Sequence, residues 1–152
     1  MDVFFGQFGL ALALGLGALG SAIGIGTAGR AAAGAWAKEA RDGKPLNFSY
    51  IILVGMPLTQ TIYGFVLMLM LKAQVYNPAI VAKNAGALLT IGIAGGLAEL
   101  FSAWMQGAIG AAGCRALSEG EGKGLVFIII AMGIAETVGL FGFVFLLLVM
   151  PS

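Results

Sequence analysis

The chain has no histidine and a single cysteine, Cys114. Intramolecular disulfides and Cys/His metal sites are therefore excluded, and any ion held by the protein must be bound through oxygen. Charge is almost as scarce, with only 10% of the 152 residues charged. Together with 60% hydrophobic residues and a mean hydropathy of +1.01, this excludes an ordinary soluble domain and makes the bilayer the main solvent. The short alternating segments of an outer-membrane barrel are missing too, because stretches such as Phe127-Ile128-Ile129-Ile130 are continuously apolar. No basic region precedes the first apolar run, whose only early charge is Asp2. That run also continues beyond the usual apolar core of a secretory signal, so it is read as a membrane span.

Four apolar runs are present, Val3 to Gly29, Phe48 to Leu71, Asn84 to Gly113 and Leu125 to Met150. Each is long enough for the roughly 20 residues that cross a bilayer, which predicts an all-α membrane protein with four transmembrane helices. Arg30, Lys38, Arg41 and Lys44 flank the first loop, and Arg115 and Lys123 flank the third, against Lys72 and Lys83 at the second. This asymmetry puts the polar stretches 36–48 and 118–123 in the cytoplasm, with both termini and the second loop outside.

The first span carries glycine at 6, 9, 15, 17, 20, 24, 26, 29 and 34, and the third at 86, 92, 95, 96, 107, 110 and 113. Small-residue faces in lipid mark close helix–helix contacts, since packing drives association there. The second and fourth spans instead carry Tyr50, Tyr63, Phe65, Phe127, Phe141, Phe143 and Phe145. The odd spans thus suit a crowded inner layer and the even spans an outer one. An internal repeat follows the same division. Ser21, Ala22, Gly26, Gly29 and Ala31 reappear 81 residues on as Ser102, Ala103, Gly107, Gly110 and Ala112. Thr59, Gly64, Phe65 and Val66 reappear as Thr137, Gly142, Phe143 and Val144. The chain reads as two fused hairpins, 1–75 and 76–152, duplicated in parallel because each unit has two spans.

Glu136 is the lone ionisable side chain between Leu125 and Met150. An ionised carboxylate at that depth costs about 2.5–3.5 kcal/mol even on lenient scales, so such residues face the protein interior and mark an ion or proton path. In the first hairpin its place is taken by Leu58, yet the surroundings stay polar in Met56-Pro57-Leu58-Thr59-Gln60-Thr61-Ile62-Tyr63. Residues 56, 59, 60 and 63 share one helical face. Pro57 removes a backbone donor and disturbs the carbonyls of the preceding turn. Thr59 offers a hydroxyl, Gln60 an amide oxygen and Met56 a loosened carbonyl. Gln106 lies about as far before the third loop as Glu136 lies after it, so an antiparallel hairpin brings the two to one depth. Taken singly, Thr59, Gln60 and Gln106 are ordinary interhelical hydrogen-bonding residues. Taken together with a proline and a buried acid, they form an oxygen shell of the kind a hard monovalent cation requires, and sodium fits it.

At these residues the chain resembles the proteolipid rotor-ring subunit of V-type (A/V-type) rotary ATPases, in its four-helix, sodium-binding branch. The resemblance spans nearly the whole chain. It is carried by Pro57-Leu58-Thr59-Gln60-Thr61-Ile62-Tyr63-Gly64-Phe65, by Phe101-Ser102-Ala103-Trp104-Met105-Gln106-Gly107, and by Ala135-Glu136-Thr137 with Gly142-Phe143. It implies that Glu136 is the ion-carrying carboxylate and that Thr59, Gln60, Gln106 and the Met56 carbonyl complete the Na+ shell. Tyr63 is implied to hydrogen-bond Glu136. The resemblance also implies a non-catalytic, multi-pass subunit of a prokaryotic plasma membrane, assembled into a homo-oligomeric ring. Its other partners would be a central stalk, a stator membrane subunit and lipid, with no nucleic acid.

Glu99 departs from that pattern: the repeat has Ala18 there. It shares a stripe with Ser102 and Gln106 and is expected to be a protonated, hydrogen-bonded structural acid, with a second ion or proton step as the other reading. Two rival functions stand beside the sodium ring. One is a proton-carrying ring of the same fold. The other is a small four-helix cation or drug transporter, whose pocket would be roomy and aromatic rather than lined by Thr, Gln and small residues. A membrane scaffold has no use for Glu136.

Overall fold

A backbone surrounded by hydrocarbon has no water to bond, so each apolar run must satisfy its own peptide groups and becomes helix. The computed structural model describes residues 1–151, and Ser152, the end of the expected second hairpin, lies outside them. Its helices are α1 (Asp2–Arg41), α2 (Ser49–Gly55), α3 (Thr59–Val75), α4 (Pro78–Glu119) and α5 (Leu125–Leu148). A 3₁₀ turn, Met56–Leu58, joins α2 to α3 into one span, giving four helices long and apolar enough to cross a membrane.

The connections are shorter than the polar stretches of the sequence. Trp36 to Arg41 belong to α1, so the first connection is 42–48 rather than 36–48. Ala, Lys, Glu and Arg are good helix formers outside a membrane as well as at its edge, and the helix stops only at Asp42-Gly43. There Gly43 adopts φ +66° and the Lys44 N–H reaches back to the Glu39 carbonyl, a glycine-dependent helix end. Buried Glu39 then ties the connection down: its carboxylate accepts from the Asn47 N–H at 2.9 Å and from the Tyr50 hydroxyl, while Trp36 Nε1 donates to the Asn47 carbonyl at 2.9 Å. Lys72 and Lys83 both lie in helices, and the second connection is only Tyr76 and Asn77. Pro78 at the start of α4 and the Asn77 side chain, which accepts from the Ala79 N–H at 3.1 Å, explain the sharp restart. The third connection is 120–124, not 118–123, and holds Gly122 and Gly124 at positive φ.

Helix α1, with 40 residues, runs about 60 Å, roughly twice the apolar thickness of a bilayer, and α4, with 42, is kinked at Asn84 (φ −127°, ψ 16°). They are parallel and in near-constant register: Gly9 meets Leu88 and Gly92, Gly20 meets Leu100, and Gly24 meets Ala103 and Gly107. A Cβ on Gly9 would stand 2.6 Å from the Leu88 carbonyl oxygen, so the backbones touch where the glycines are. The α3 and α5 spans lie against this pair, and α5 is the least buried of the four, exposing Val126, Phe127, Ile130, Ile134, Val138, Phe141 and Phe145. Two apolar clusters fill the interior. One contains Leu67, Leu71, Val75, Val81, Leu88 and Ile91, and the other Ala32, Tyr50, Leu53, Cys114, Leu117 and Met132. On α3 and α4 the buried polar residues Gln60, Glu99, Ser102 and Gln106 lie between them along the chain.

Candidate functional site

Pro57 has no N–H to offer the carbonyl of the preceding turn, and the chain tightens locally into the 3₁₀ turn before resuming as α3. Pro57 itself is buried against Gly24 of α1, where a Cβ would come within 2.8 Å of the proline ring. The carbonyl of Met56, expected to be loosened, accepts from the Thr59 N–H and lies 3.1 Å from the Thr59 hydroxyl. That hydroxyl is also 3.1 Å from Gln60 Oε1. Three of the expected oxygens, those of Met56, Thr59 and Gln60, therefore sit together where the 3₁₀ turn passes into α3.

Across from them, α5 presents Glu136. The Tyr63 hydroxyl donates to its Oε1 at 3.2 Å and the Gln106 amide donates to its Oε2 at 3.2 Å. The expected depth match of Gln106 and Glu136 and the expected Tyr63 contact are both present in this geometry. Tyr63 apart, no direct hydrogen bond joins the second span to this pair among the described residues: the oxygens of Met56, Thr59 and Gln60 bond neither Gln106 nor Glu136. The link runs through a residue outside the expected set: Gln60 Nε2 donates to Ser102 Oγ at 3.1 Å, and Ser102 donates to the Ala135 carbonyl at 3.0 Å, next to Glu136. The signal for Ser102 was present as a buried-stripe hydroxyl between Glu99 and Gln106, but depth alone did not connect it to Gln60.

The Gln106 amide can be oriented from its partners. Its nitrogen donates to the Met132 carbonyl at 3.2 Å as well as to Glu136. A carbonyl only accepts, so the NH₂ end must face it, and both amide protons are used. Gln106 Oε1 is left buried without a hydrogen-bond partner. Buried acceptors are rarely left this way, and an unpaired one costs about 1–3 kcal/mol. With Gln60 and Gln106 both fully buried and Thr59 and Glu136 half-buried, this layer is rich in acceptors and equipped with one carboxylate. It is chemically suited to holding a small cation.

Glu99 lies on the opposite side of Ser102. Its Oε2 abuts Gly139, one turn past Glu136 on α5, where a Cβ would stand 2.6 Å away. Gly17 of α1 leaves similar room beside its stem. Only 1% of Glu99 is exposed, and the hydrogen bond expected for it is absent: neither carboxyl oxygen has a partner, because the side chain is lodged against glycines that offer no side-chain donor. Leu58, the counterpart of Glu136 in the first hairpin, points outward and is 51% exposed.

A family model for the C subunit of ATP synthase matches the chain twice, over residues 8–71 and 89–149. The first match covers the α1–α3 hairpin and the second the α4–α5 hairpin, as the internal repeat requires. The A-type ATP synthase subunit K of Methanocaldococcus jannaschii is 32% identical over 97% of this chain, which spans 62% of that relative's length. Four spans arranged as two similar hairpins, each matching the same model, make the chain a duplicated member of the ATP synthase C-subunit family.

Proposed function

We propose that the protein is a non-catalytic rotor-ring subunit of an A/V-type rotary ATPase and that it carries Na+ on Glu136. The observation that carries the choice of sodium is the unpaired, buried Oε1 of Gln106, whose amide nitrogen donates to the Glu136 carboxylate, with the clustered oxygens of Thr59, Gln60 and Met56 available as further ligands. A proton needs one carboxyl group and one acceptor, so these additional oxygens have no work in a proton-only ring. The cation neutralises Glu136, which lets the site travel through the lipid-facing part of a rotation without an uncompensated charge. Release takes place at a stator subunit, and ATP hydrolysis belongs to other subunits. Moving one charge across 100 mV exchanges about 2.3 kcal/mol with the rotation. One ion carboxylate per four spans, with Leu58 in the other hairpin, puts fewer ions into each turn and favours pumping against a steep gradient.

Carbodiimides attack protonated carboxyl groups, so sodium is expected to protect Glu136 from labelling, with protection strengthening as pH rises and protons withdraw from the same carboxylate. Gln106→Ala or Thr59→Ala should shift half-protection to higher sodium by roughly ten- to a hundredfold, the equivalent of about 1.5–3 kcal/mol for a bond to a charged group. Potassium should protect poorly. Labelling indifferent to sodium from mildly acidic to neutral pH would favour the proton ring and leave these residues as interhelical ties.

Glu99 fits a neutral structural acid in this scheme. A bare carboxylate between the glycines of α1 and α5 is its costliest state, and the one ion pair among the described residues, Lys44 with Glu121, lies on the surface.

A further inference from the structure

Resting on the sodium reading above, we propose that Ser102 is a positioning residue of the ion site: its hydroxyl fixes the Gln60 amide with the oxygen, rather than the nitrogen, turned toward the cation. A serine hydroxyl has one proton to give. The Ala135 carbonyl can only accept, so the Ser102 proton goes there, across 3.0 Å. The Ser102 oxygen is then an acceptor toward Gln60, and the end of the amide that faces it at 3.1 Å must be the NH₂. Oε1 is thereby turned to the other side, where it lies 3.1 Å from the Thr59 hydroxyl. If the amide were flipped, two acceptors would meet at Ser102 and a donor would face the cation.

The residue is built into its place. Ser102 is 2% exposed, and the absence of a side chain at Gly139 makes room for it, since a Cβ there would stand 3.0 Å from Ser102 Oγ. Its counterpart in the repeat, Ser21, is equally buried yet has no hydrogen-bond partner. The paired hydroxyl therefore belongs to the hairpin that carries the carboxylate. Ser102 thus contacts both α3 and α5 from α4. Groups that orient metal ligands in this way typically change affinity by tenfold or more when removed.

The test is a double-mutant cycle on the assembled ring, reading the sodium concentration that half-protects Glu136 from carbodiimide. Ser102→Ala should raise it about tenfold. Gln60→Ala should raise it at least as much, and Ser102→Ala should then add nothing, because the amide it orients is gone. Ser102→Cys, which keeps a weaker donor and acceptor, should fall between wild type and Ser102→Ala, and it serves if the alanine variant yields no ring. Sodium protection unchanged in Ser102→Ala and Ser102→Cys, or losses that simply multiply in the double variant, would overturn the assignment while leaving the sodium site standing. A wild-type ring indifferent to sodium would remove both readings together.

Discussion

Glu136→Gln is expected to abolish ion transport and ion-coupled ATP hydrolysis in a complex whose ring still assembles. The substitution preserves the shape of the side chain, and its one amide oxygen can still accept from Gln106 or from Tyr63, which each donate to the carboxylate at 3.2 Å. What it removes is the charge that the proposed cation would neutralise. Taking away one partner of a buried charge pair costs about 3–5 kcal/mol, a loss of at least a hundredfold in cation affinity at about 1.4 kcal/mol per factor of ten. Apolar clusters on both sides of the layer carry no replacement charge. Glu99→Gln is the matched control at the same interface, one turn away, and should leave appreciable transport. Transport measured in reconstituted vesicles, with the ring checked by native electrophoresis, separates the two. A correctly assembled Glu99→Gln complex that did not transport would make Glu99 part of the ion path and overturn its reading as a structural acid.

The contrast between Glu136 and Glu99 also marks where sequence reasoning reached its limit. Counting residues from the third connection fixes depth, and on that basis Gln106 and Glu136 were expected to meet, as they do. Depth says nothing about rotation around a helix axis. In a soluble helix the polar face reports that rotation, but here apolar residues and glycine surround each span, so hydropathy leaves it open. Ser102 linking α3 to α5, and Glu99 lodged against Gly139, depend on that missing angle. The helix ends were misplaced for a different reason. Hydropathy locates the membrane boundary, whereas α1 ends at the Gly43 conformation and α4 begins at Asn77-Pro78, both set by backbone chemistry that operates outside lipid. The four spans and the duplicated hairpins were legible because long apolar runs and a repeat register are one-dimensional signals.

The glycine register leads to the second large effect, on assembly rather than transport. Gly107→Leu should eliminate a stable subunit, and Gly107→Ala should weaken it by about 1–3 kcal/mol, the usual cost of forcing an extra group into a packed interior. A Cβ at Gly107 would fall on the backbone of Gly24 itself, and no rotamer can move a backbone aside. The helices must separate, and because α1 and α4 touch in the same way at Gly9 and Gly20, separation at one point strains the others. In lipid there is little hydrophobic driving force to hold two helices together once the close fit is lost. Gly15 supplies the comparison: it lies in the same helix as Gly24, but a Cβ there would meet nothing within 4 Å. Gly15→Ala should therefore leave the protomer intact, or stabilise it slightly by restricting the unfolded chain. Thermal aggregation of the purified subunit in mild detergent would rank the variants. A Gly107→Leu protein as heat-resistant as the wild type would show that α1 and α4 do not depend on backbone contact, and the pairing of the two hairpins through their glycine faces would have to be abandoned.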